Sequence, residues 1–179
     1  MKTLLKSTLV LLAALVISGT SFAQGTSDDA TVSANANIVA ALTVTNVSDL
    51  SFGDILTSET PTISATTTGA GSVSVSGATS GQTLNVTIDF PSVLTDGTPA
   101  NDLSFDTYSA AVTASGNDSD PTNGVALTGA ATAGTQITGT FVAGATAAHI
   151  FVGGQIDDAT NGVAGNSYAN DITVTVDYN

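Results

Sequence analysis

Residues 30–45 read ATVSANANIVAALTVT, and every even position is apolar: Ala30, Val32, Ala34, Ala36, Ile38, Ala40, Leu42 and Val44. The odd positions are mostly Thr, Ser and Asn. A period of two is that of a β-strand with one buried face. At about 3.3 Å per residue the stretch would span roughly 50 Å, whereas an ordinary strand has about five or six residues. One sandwich edge cannot easily pair all of it. Either the strand breaks near residues 33–37 and crosses from one sheet to the other, or part of it leaves the domain and adds to a neighbouring molecule.

The rest of the chain keeps the same period. Residues 83–90 (TLNVTIDF) place Leu84, Val86, Ile88 and Phe90 on one face against Thr83, Asn85, Thr87 and Asp89, and Pro91 ends the ladder. Residues 171–178 (DITVTVDY) do the same with Ile172, Val174, Val176 and Tyr178. Further strands are expected at 72–76, 103–112, 136–142 and 149–156, with weaker signals at 50–56, 63–67 and 125–128. Turn residues separate them, among them Asp96-Gly97, Gly116-Asn117-Asp118, Asn123-Gly124 and Asn161-Gly162. Many short strands with turn signals between them predict an all-β, antiparallel sandwich in one domain, residues 24–179.

The first 23 residues predict a secretory signal peptide. Lys2 and Lys6 precede an apolar run, LVLLAALVI, and Ser21-Phe22-Ala23 supplies a cleavage site. The run is too short to span a bilayer, which takes about 20 residues. Export to the periplasm, outer surface or medium is expected, with no stable membrane insertion. Lys2 and Lys6 are also the only basic residues, so the mature chain carries fifteen carboxylates and no Lys or Arg. Without cations it cannot neutralise phosphate, and nucleic-acid binding is excluded. There is no cysteine and hence no disulfide.

Several stretches, taken in order, carry a resemblance: Leu50-Ser51-Phe52-Gly53-Asp54-Ile55, then Ser72-Val73-Ser74-Val75-Ser76, then Phe151-Val152-Gly153-Gly154, and the closing YANDITVTVDY of residues 168–178. The set resembles the secreted bacterial family catalogued as domain of unknown function 4402, and its last strand is similar to spore coat U-like and chaperone–usher pilin subunits. The resemblance covers roughly residues 30–179. It implies an immunoglobulin-like sandwich of Greek-key type at the cell surface. By analogy with the pilins it further implies polymerisation by donor-strand exchange, with residues 30–45 as the donor and a periplasmic chaperone as a transient partner. Many such pilins carry a disulfide, and this chain departs from them there.

Catalytic material is sparse. With no Cys and no mature Lys, a nucleophile would have to be Ser or Thr served by His149, the only histidine, which lies in the apolar stretch AAHIFVGG. A packing role for it is expected, and no enzyme activity. For metals, residues 116–124 (GNDSDPTNG) gather Asp118, Asp120 and Asn123, hard oxygen ligands of the kind calcium takes, but in the residue types that turns use anyway. Calcium is the one cofactor to consider. The expected function is that of a secreted structural subunit of a fibre or coat, self-associating by strand addition. The donor face would be Val32, Ala34, Ala36, Ile38, Ala40, Leu42 and Val44. A monomeric adhesin or calcium-dependent binding sandwich, and a cross-β matrix protein, are the alternatives.

Overall fold

The computed structural model describes residues 30–114, 118–127, 136–144 and 147–179. The expected signal peptide, the Gly116-Asn117 turn and Thr128 lie outside them. Residues 1–37 and 38–179 form two separate units. Of the first, the described residues 30–37 have no regular structure and are exposed.

Among the described residues ten strands follow in chain order: β1 (Thr43–Ser48), β2 (Thr62–Ile63), β3 (Gly71–Ser76), β4 (Thr83–Asp89), β5 (Val93–Leu94), β6 (Leu103–Thr113), β7 (Val125–Ala126), β8 (Gln136–Val142), β9 (Ala148–Asp158) and β10 (Thr173–Tyr178). The larger sheet runs β1-β3-β9-β6-β5, with β2 also on β9 and β7 on β6; the smaller runs β10-β4-β8. All pairings are antiparallel. β9 lies between β3 and β6, and β4 between β10 and β8, so long connections cross between strands that are not consecutive. The expected antiparallel sandwich is the observed fold.

Its core follows from the alternation. Leu84, Val86 and Ile88 of β4 are buried, as are Ile137 and Phe141 of β8 and Val176 of β10. They meet Val75, Phe105, Tyr108, Ala110, Val112, Ile150 and Val152 of the larger sheet. Burying a Leu or Ile side chain contributes about 2 kcal/mol, so these rows supply the main stabilisation in a chain without disulfides. Tyr108 stacks on Phe90 (4.2 Å) and meets Phe105 edge-on (5.0 Å), and Phe52 meets Phe105 at 5.9 Å. The Tyr108 hydroxyl donates to the Phe105 carbonyl at 2.5 Å and also reaches that of Pro91, so a fully buried phenol keeps its polar end satisfied.

The outward face of the larger sheet is not left to water. Ala65, Ala70 and Ile63 pack over Ala111 and Phe151 in a second small core. This explains the near-continuous burial of β9, where every residue from Ala148 to Gly154 is buried. β6 carries a bulge where its pairing with β9 shifts between Asp106 and Ser109. Within it Thr107 sits at φ +51°, the only non-glycine at positive φ among the described residues. A β-branched residue there is strained by about 1 kcal/mol. Thr107→Gly is therefore expected to stabilise the fold by roughly that amount, read as a higher urea midpoint at unchanged slope.

Three expectations fail. Residues 50–56 form no strand: Leu50, Phe52 and Ile55 tuck inward as single side chains, and Gly53 turns the chain at φ +66°. The strand at 63–67 shrinks to Thr62–Ile63, because the chain then crosses over β9 instead of running beside it. The long first strand is not 31–45; it begins at Thr43 and runs to Ser48. No break between two sheets occurs at 33–37, since residues 30–42 belong to neither sheet.

Candidate functional site

The failure of the long strand defines the site. Four of its apolar positions before Leu42 are alanines, plus Val32 and Ile38. Burying one alanine methyl contributes about 0.8 kcal/mol, while fixing a residue's backbone costs about 1–2 kcal/mol. Such a segment takes up regular strand structure only where a sheet edge supplies hydrogen bonds. That begins at Thr43, which pairs with Ser76, and continues with Val44 opposite Val75. Upstream, Val32 is 93% and Ile38 92% exposed. Ala34 and Ala36 are exposed too, and Ala40 and Leu42 belong to no strand. Of the predicted donor face only Val44 lies in the sheet, and it remains 38% exposed. No charged residue occurs anywhere from 30 to 48.

β1 and β10 are terminal strands of their sheets, each paired on one side only among the described residues. They lie at the same side of the sandwich, because the Tyr178 hydroxyl at the end of β10 donates to the Ala40 carbonyl, 2.8 Å away, just before β1. All six residues of β1 are exposed. In the predicted C-terminal strand Val176 is buried, whereas Ile172, Val174 and Tyr178 pack on the core but stay half-covered, as does Leu42. Two terminal strands, β1 fully exposed and β10 with a half-covered apolar row, thus meet at Ala40, the root of the exposed alternating segment. The sequence could reveal Tyr178 as a strand residue. It could not reveal that its hydroxyl meets Ala40, a contact 138 residues apart in the chain.

The predicted calcium residues are brought together, but by one another. Asp118 Oδ1 accepts from the Asp120 amide and its Oδ2 from the Asn123 side chain, both at 2.9 Å. Asp120 Oδ1 accepts from the Thr122 amide and hydroxyl, holding the short 3₁₀ turn Pro121–Asn123. Among the described residues no group of three or more His, Asp or Glu side chains is placed to share a metal ion. His149 lies on the outward face of the larger sheet, 6% exposed, opposite Ser74 and Thr113. Its ring stacks with Phe151 at 6.2 Å, and its buried Nδ1 has no hydrogen-bond partner among the described residues.

Three exposed carboxylates are held below the usual range by donors. Thr122 does this to Asp120 and Thr160 to Asp158. The Asn101 amide, helped by Asn166 and the Thr98 N–H, does it to Asp96, so Asp96 ties two loops together. A depressed carboxylate stabilises the fold above its unfolded pKa, and that contribution is lost as pH falls through the folded value. Asp96→Asn is thus expected to lower the melting temperature at pH 6, with the difference from the parent shrinking below about pH 4. Thermal melts of both proteins across that range check it.

Fold and site together describe an antiparallel β-sandwich whose distinguishing surface is strand edge and exposed alternating segment. The family model described as domain of unknown function DUF4402 matches residues 42–178, and the chain belongs to that family. No curated protein and no solved structure matches. The matched region begins at the root of the free segment, leaving residues 30–41 outside it. Inside it, the signature stretches answer to packing. An added Cβ at Gly153 would meet the Ile63 carbonyl at 2.2 Å, and one at Gly154 the Phe105 ring at 2.5 Å. One at Gly71 would meet the Leu50 amide at 2.9 Å. These residues specify how the sandwich closes and carry no reactive group.

Proposed function

We propose that this protein is a secreted structural subunit of a surface fibre or coat, and that it assembles by strand addition. Residues 30–42 of one copy act as the donor, and the side of the sandwich bearing β1 and β10 in the next copy accepts them. The observation that carries this reading is the exposure of Val32 and Ile38 at alternate positions of a charge-free segment, together with β1 and β10 standing as terminal strands of their sheets. An unpaired edge offers main-chain hydrogen bonds, and alternate side chains enter the core side, as in other cases of strand addition. Burying Val32 and Ile38 would add about 2 kcal/mol each. The absence of charge near the donor matters because the subunits repel: the mature chain holds fifteen carboxylates and no Lys or Arg.

The signal peptide read in residues 1–23 supports export, and a periplasmic chaperone is the partner that would shield the edges before assembly. A synthetic peptide of residues 30–42 tests the pairing. Added in excess to unassembled subunits, it is expected to bind and block multimer growth. A peptide with Val32 and Ile38 changed to Asp is expected not to. If both peptides leave assembly untouched, the donor has been misassigned.

A further inference from the structure

The root of the donor segment is held by contacts that strand pairing does not need. The Ala40 amide donates to Thr79 Oγ1 at 3.0 Å. The Thr79 amide donates to the Tyr178 hydroxyl at 3.1 Å, and that hydroxyl donates to the Ala40 carbonyl at 2.8 Å. The three bonds close a ring through the segment root, the β3–β4 turn and the last strand. Next to it the chain passes so close to Gly77 that an added Cβ there would lie 2.3 Å from the Ala41 carbonyl, and Gly77 itself sits at φ +77°. Both main-chain polar groups of Ala40 are therefore satisfied by side chains, in a residue that belongs to no strand and is exposed. Such local satisfaction replaces water or a ladder partner and fixes the backbone at one point.

We infer that Tyr178 and Thr79 form a clamp that couples docking of the C-terminal strand to presentation of the N-terminal donor segment. Tyr178 is a positioning residue: it acts on the donor through Ala40. Its hydroxyl is in place only when β10 has paired with β4, Tyr178 opposite Leu84. A chain whose last strand has not docked therefore lacks a fixed donor root, and assembly waits for a finished fold. The inference rests on the strand-addition reading for its consequence but not for its geometry.

The test uses the full mature chain and two variants, Tyr178→Phe and Thr79→Ala. Amide hydrogen exchange at Ala40 reads the clamp directly, and multimer growth reads its consequence. Thr79→Ala removes the acceptor of the Ala40 amide and is expected to speed exchange there by about tenfold, the scale of one lost hydrogen bond; Tyr178→Phe, which removes the bonds to the Thr79 amide and the Ala40 carbonyl, is expected to speed it in the same direction. Exchange at Val86 and Ile88 in β4 should stay at the parent rate, and multimers should form several-fold more slowly. Thr79→Ala leaves the Tyr178 ring and hydroxyl in place, so it separates clamp loss from a loosened last strand. Unchanged exchange at Ala40 would overturn the inference. So would exchange that rises equally at Ala40 and in β4, or a faster Ala40 with undiminished growth. If the parent chain forms no multimers, the strand-addition reading fails, while the Ala40 measurement still decides the clamp.

Discussion

Gly153→Ala is expected to lower the melting temperature by about 6–12 °C. The new Cβ would lie 2.2 Å from the Ile63 carbonyl oxygen, 2.6 Å from the Ala65 amide and 2.7 Å from the Ser64 carbonyl carbon. All three are backbone atoms, so no side-chain rotation relieves the clash. The segment crossing β9 must lift. With it go the Thr62–Gln155 and Ile63–Gly154 pairings, the bond from the Ala65 amide to Ser109 Oγ, and the burial of Ala65 against Phe151. Overpacking of this kind costs about 3 kcal/mol, which in a chain of this size is the melting shift given. Gly81→Ala is the control. Gly81 has φ +82° but nothing within 4 Å of an added Cβ, so only about 1 kcal/mol of backbone cost applies. Circular dichroism melts of the pair check both; equal small shifts would mean that the crossing segment yields more easily than its contacts indicate.

The second large effect is on assembly. Removing residues 24–38 is expected to leave the melting temperature within about 1 °C of the parent, because the described part of that stretch is exposed and unpaired. Multimers should nevertheless be lost completely, since the shortened chain keeps acceptor edges and has no donor. Mixing sharpens the expectation. A shortened subunit accepts one donor and offers none, so it caps a growing chain. A mixture of equal parts should give multimers of only a few subunits, where a bystander would leave the length distribution unchanged. Sedimentation of the mixtures, read against the parent alone, measures this.

How much of this could be read from sequence depends on which force decides each element. β4, β8 and β10 were legible because their alternation carries large side chains: Leu84, Val86, Ile88, Ile137, Phe141 and Val176 all turn inward as the period requires. Residues 30–42 have the same period but mostly alanine on the apolar face, and period alone does not measure burial energy. β9 was legible as a strand, but its burial on both faces was not, because Ala65 and Ala70 reach it from a crossing segment with no pattern of its own. Of the candidate site, Val32 and Ile38 of the proposed donor were visible as apolar positions. The clamp was not: Thr79 is one threonine among many, and only the fold brings it to Ala40 and Tyr178. Asp118, Asp120 and Asn123 were plain by type and spacing, whereas the hydrogen bonds they make with one another and with Thr122 were not.

The most direct measurement is electrophoresis of the native protein, unboiled and boiled, with negative-stain microscopy of the same sample. Strand addition predicts a ladder of detergent-resistant multimers that collapses to a single band on boiling, and thin fibres on the grid. A single monomer band before boiling, with no fibres at any salt concentration, would contradict it.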